Sequence, residues 1–121
     1  MSDPRELSLT WSRPQAGVVA VRLAGALDYD TVDALTEDVR QLLDAEAGRI
    51  SELRLDCADL AFCDSTGLSS LLMIRRDTAR NGVELVLDRR SGALDRLLRV
   101  TNTLAYLVGG SARTREEQFD T

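Results

Sequence analysis

The sequence predicts an α/β domain with a mainly parallel or mixed sheet of about four strands, in the order β-β-α-β-α-β-α. Three observations carry this: short segments in which apolar and polar residues alternate, longer ones in which apolar residues recur at three- and four-residue steps, and turn residues between them. At 121 residues the chain fits one domain, residues 1–121, with no room for two.

Leu7, Leu9 and Trp11 alternate with polar residues and predict a first strand, and Pro14 and Gly17 mark the turn after it. Val18 to Gly25 is apolar and β-branched, with Val19, Val21 and Leu23 on one face. Arg22 on the other face predicts that this side meets solvent. A helix follows, because Val32, Leu35, Val39, Leu42 and Leu43 form one apolar stripe while Glu37, Asp38 and Arg40 point outward. Asp30 or Thr31 is its expected N-cap, and Gly48 lies just past its end.

Leu53, Leu55 and Cys57 alternate with Arg54 and Asp56, a third strand. Leu60 and Phe62 then lead into a helix from about Ser65 to Asn81, apolar at Leu68, Leu71, Leu72, Ile74 and Ala79 and stopped by Asn81-Gly82. Val83, Leu85 and Leu87 make a fourth strand, Leu94, Leu97 and Leu98 a third helix, and Leu104, Tyr106 and Leu107 a last short element. The core is expected over about residues 7–108, with a polar, frayed tail over 109–121.

Composition excludes several functions. The chain is 44% hydrophobic but only 4% aromatic, so its core must be aliphatic. All 15 basic residues are Arg, interspersed with acids, and the net charge is −5. Nucleic acid and anionic membrane surfaces are therefore not expected partners. The amino terminus lacks the apolar run of a secretory signal, and no stretch approaches the roughly 18 apolar residues of a membrane span, so a cytoplasmic protein is expected. The absence of histidine removes the commonest general base and metal ligand together, and neither GxGxxG nor a Walker loop is present. No enzyme activity, cofactor or metal is expected. Cys57 and Cys63 match neither a CxxC pair nor a zinc knuckle and read as small buried hydrophobes in a reducing compartment.

In such sheets sites gather where a strand's carboxyl end hands over to the next helix. One handover stands out: Phe62-Cys63-Asp64-Ser65-Thr66-Gly67-Leu68. A helix start presents unpaired N–H groups and a partial positive charge, and so tolerates a phosphate. Ser, Thr and Asp also cap helices regardless of function. Gly67 is the unusual residue, because glycine in the first turn costs up to about 1 kcal/mol relative to alanine. Its presence predicts a close approach, by another part of this chain or by another protein.

This run resembles the Asp-Ser-Ser/Thr-Gly-Leu signature of STAS domains, in their anti-sigma factor antagonist branch. Val21 to Asp28 is similar to that family's second strand, which ends in a Gly-x-x-Asp turn, and Leu85 to Thr101 to its last strand and following helix. The resemblance implies a small sheet with helices packed mainly against one face. It also implies a partner switch: the unphosphorylated protein binds an anti-sigma factor that is also a serine kinase, phosphorylation of Ser65 releases it, and a phosphatase resets the protein. Asp28, Asp64, Thr66 and Gly67 would form the partner-binding surface. The chain departs from the family's pattern at Asp33, Ser69 and Asn102, where proline, glycine and glycine are common. A STAS subunit of a lipid-transporter or sensory scaffold complex, without a phospho-switch, is the alternative. For Asp28 a plain turn role weighs equally. Arg75, Arg76 and Arg80 read as a solvated face, and Cys63 lacks the basic neighbour that would activate its thiol.

Overall fold

A hairpin starts the sheet. In the computed structural model, which describes residues 6–46 and 48–109, β1 (Leu7–Gln15) and β2 (Val18–Leu27) pair antiparallel, with Leu9 opposite Leu23 and Trp11 opposite Val21. The chain then forms α1 (Val32–Glu46) and returns as β3 (Glu52–Cys63) parallel to β2. α2 (Ser65–Arg80) leads to β4 (Glu84–Asp88), parallel to β3, and the sheet order is β1-β2-β3-β4. α3 (Gly92–Val100) and a π-helical turn (Ala105–Gly109) follow. The sheet is mixed, as the alternation of strands and helices predicts.

One face of the sheet carries the core. Val19, Leu53 and Leu85 stand in register across β2, β3 and β4, as do Val21, Leu55 and Leu87, and all six are buried. Leu35, Val39 and Leu43 of α1, Leu71 and Ile74 of α2 and Leu98 of α3 belong to the same aliphatic cluster. On the opposite face Arg22, Arg54, Asp56 and Asp88 are not buried. Arg22 approaches Asp59 at 3.4 Å, and Arg54 approaches Glu52 at 2.7 Å and Asp88 at 3.6 Å. Such surface pairs contribute about 0–1 kcal/mol each and keep the face soluble more than they hold it.

Three local features differ from the sequence reading. β3 continues to Cys63 instead of ending at Cys57. Its pairing with β2 shifts twice: Arg22 to Ala24 spans Asp56 to Asp59, and Gly25 to Ala26 spans Leu60 to Phe62. Each shift inserts one residue into β3, so Cys57 and Leu60 are both buried although three residues apart. The bulges break the alternation by which a strand is recognised.

The Thr31 hydroxyl does not cap α1 forward. It accepts from the Asp28 N–H at 3.0 Å and donates to the Ala26 carbonyl at 2.8 Å, while the N–H groups of Thr31 and Val32 both reach the Asp28 carbonyl. Arg75 is not a free solvated side chain either: its guanidinium lies 5.4 Å from the centre of the Tyr106 ring, a cation–π contact that ties α2 to the π-helical turn.

α2 and α3 end alike. Gly82 donates to Ala79 and Val83 to Thr78, and Asn102 donates to Arg99 and Thr103 to Leu98, which is the Schellman pattern. Asn102 has φ +64, the left-handed conformation that asparagine tolerates best after glycine, so this departure from the family keeps the helix end intact. The expected tail over 109–121 lies, beyond Gly109, outside the described residues. Among the described residues no helix is long and apolar enough to cross a membrane.

Candidate functional site

β2 and β3 run parallel and end side by side. Leu27 pairs with Cys63, so Asp28 and Asp64 are the next residues off two adjacent strand ends. The Asp64 N–H donates to the Leu27 carbonyl at 3.3 Å, which holds the start of α2 against the end of β2.

Asp64 is the N-cap of α2. Its backbone is extended, and its Oδ1 accepts the Gly67 N–H at 2.8 Å, satisfying one of the donors a helix start leaves open. Asp64→Ala is expected to lower stability by about 1 kcal/mol, whereas Asp64→Asn, which can still accept that bond, should retain most of it. Thermal melts monitored by circular dichroism read the difference.

Ser65, the first residue of α2, is exposed, and Thr66 behind it is half-buried. Ser70 is buried and spends its hydroxyl on the Gly67 carbonyl at 2.6 Å. Ser69, at a family glycine position, is exposed one turn beyond Ser65, and Met73 one turn beyond that. The outer face of α2 thus begins with the Ser65 hydroxyl and runs into a large apolar side chain.

Gly67 is buried, and the close approach comes from this chain. A β-carbon there would collide with the Leu27 carbonyl oxygen and lie 2.9 Å from the Cys63 Sγ. The first turn of α2 sits so tightly on the ends of β2 and β3 that only glycine fits. The steric demand on Gly67 is therefore internal, and this glycine seats the turn that carries Ser65. Gly25 does related work at the second register shift between β2 and β3: at φ +112 it faces the Glu6 backbone, where a β-carbon would also collide.

Asp28 is 8% exposed and performs the turn role. Its Oδ1 accepts the Asp30 N–H at 3.0 Å, an Asx turn that closes the β2–α1 connection. Asp28 is buried and Asp64 half-buried, so two carboxylates border the Ser65 end of the sheet.

Two residues to which the sequence pattern assigns no binding role stand beside these aspartates. Tyr29, next to Asp28, is 78% exposed, and Phe62, two residues before Asp64, is 53% exposed. In a chain with an aliphatic core an aromatic outside that core is notable, but only the register of the strands shows that these two face outward. Cys63 is a poor redox centre. Burial first, and then the Asp64 charge, push its thiol up to about 11, and burial pushes Cys57 up to about 12.

Residues 13–117 match the STAS domain family, and the chain belongs to that family. Solved structures agree with the fold. An anti-sigma factor antagonist from Mycobacterium paratuberculosis superposes with a TM-score of 0.70 at 20% identity, covering 100% of this chain and 92% of that one. The anti-sigma factor antagonist SpoIIAA in its unphosphorylated form gives 0.68 at 18% identity over 79% and 82% of the two chains. Bacillus SpoIIAA in the phosphorylated form gives 0.64 at 18% over 79% and 85%. A murine anion transporter, Solute Carrier 26 family member A9, gives 0.65 at 18% over 74% of this chain and 14% of that one.

Proposed function

We propose that the chain is an anti-sigma factor antagonist: unphosphorylated, it binds an anti-sigma factor serine kinase and frees a sigma factor, and phosphorylation of Ser65 ends that binding. The observation that carries this is the setting of Ser65, an exposed hydroxyl at the first position of a helix whose cap and first-turn glycine are fixed by the sheet beneath it. A kinase can reach it, and a phosphate there faces the positive end of the helix without disturbing the core. Asp28, Asp64 and Thr66 frame the docking surface, with Tyr29, Phe62 and Met73 as its apolar anchors. In this reading the domain is a cytoplasmic binding module and not a catalyst, and a serine phosphatase resets it.

The test is incubation with ATP and each anti-sigma factor kinase of the same cell, followed by mass spectrometry. Phosphate on Ser65 is expected; phosphate on Thr66, Ser69 or Ser70 in its place contradicts the assignment. The likeness to the domain within the anion transporter favours a second reading, a permanent STAS subunit of a larger assembly. Stable co-purification with a transporter or scaffold would support it.

A further inference from the structure

Away from Ser65, a cleft of about 610 Å³ opens between β1 and α1. Its size falls within the roughly 300–1,000 Å³ of small-molecule sites. Trp11, Val19 and Leu42 give it an apolar lining, and Arg13, Asp38 and Gln41 a polar one. Trp11 is half-buried and is the chain's one tryptophan, so the widest flat apolar surface the protein owns borders this cleft.

The charges here are unequal. Arg13 is bound through two nitrogens to the carboxylate of Glu46, with Nη1 to Oε1 at 2.7 Å, so that pair adds no net charge. Asp38 makes no ion pair among the described residues and is the one acid of α1 that lines the cleft; Glu37 pairs with Arg40 and Glu46 with Arg13. An anion entering the cleft therefore meets the uncompensated Asp38 carboxylate. A cation with a flat apolar body meets a carboxylate together with an indole, the ring that attracts cations most strongly.

We infer that this cleft is a second binding site, specific for a small organic cation with an aromatic or aliphatic body that lies against Trp11 and places its charge at Asp38. The site shares no residue with the surface around Ser65, so it stands or falls independently of the proposed switch.

Trp11 reports directly on occupancy. The full chain is titrated with phenethylamine, protonated at neutral pH, and with phenylacetate, an anion of similar shape, while the indole fluorescence is followed. A saturable change with phenethylamine is expected, with affinity at least about tenfold greater than for phenylacetate. Asp38→Asn, an exposed substitution, should weaken phenethylamine binding by about threefold or more and leave the melting temperature in place. Equal responses to the two probes, no saturable response at millimolar concentrations, or unchanged affinity in Asp38→Asn would overturn the inference.

Discussion

Ser65→Glu is expected to fold as the wild type does and to bind the anti-sigma factor kinase at least about a hundredfold more weakly, a difference of about 3 kcal/mol. Within the domain the new charge sits at an exposed helix start, which favours an anion by about 0.3–1 kcal/mol, while Asp64 opposes it, so the fold changes little. Between proteins the balance is different. A partner surface that accepts a neutral hydroxyl beside Asp64 would have to desolvate a second negative charge there, and an unpaired buried charge costs several kcal/mol. Ser65→Ala should bind at least as tightly as wild type and resist inactivation by ATP. Calorimetric titration of both variants against the kinase tests this, and Ser65→Glu binding as tightly as Ser65→Ala would remove the electrostatic explanation.

Gly67→Val is expected to destabilise the domain itself by about 3 kcal/mol or more, lowering the melting temperature by about 10 °C or more. The obstacle is backbone: the Leu27 carbonyl lies where the β-carbon would go, and that residue is held in the interior strand β2 by its pairing with β3. Valine's helix propensity is slightly better than glycine's, but a gain of about a few tenths of a kcal/mol is small beside this clash. Gly67→Ala gains helix propensity yet meets the same carbonyl, so it should also lose stability, by a smaller amount. Unaltered melting of Gly67→Val accompanied by lost partner binding would return this glycine to the docking surface.

The elements that obey simple periodicity were readable from the sequence. α1 and α2 announce themselves through Leu35, Val39 and Leu43, and through Leu68, Leu71 and Ile74, because each buries one stripe against one sheet face. The carboxyl half of β3 was not, because its bulges erase the two-residue repeat at the point where the strand delivers Asp64. The Asp64 cap could be read from residue type and position. The source of the demand on Gly67 could not, since it depends on where Leu27 lies after a parallel crossover 40 residues away. Tyr29 and Phe62 were hidden for a related reason: an apolar residue in a strand or turn carries no mark of which way it faces until the register is known.

The central claim is that phosphate on Ser65 alone decides whether the protein holds its kinase. The direct measurement is a calorimetric titration of the unphosphorylated chain and of the same chain fully phosphorylated at Ser65 against that kinase. The account predicts clear binding by the first and a loss of at least about a hundredfold in the second, with matching circular dichroism spectra. Equal affinity of the two forms would contradict it.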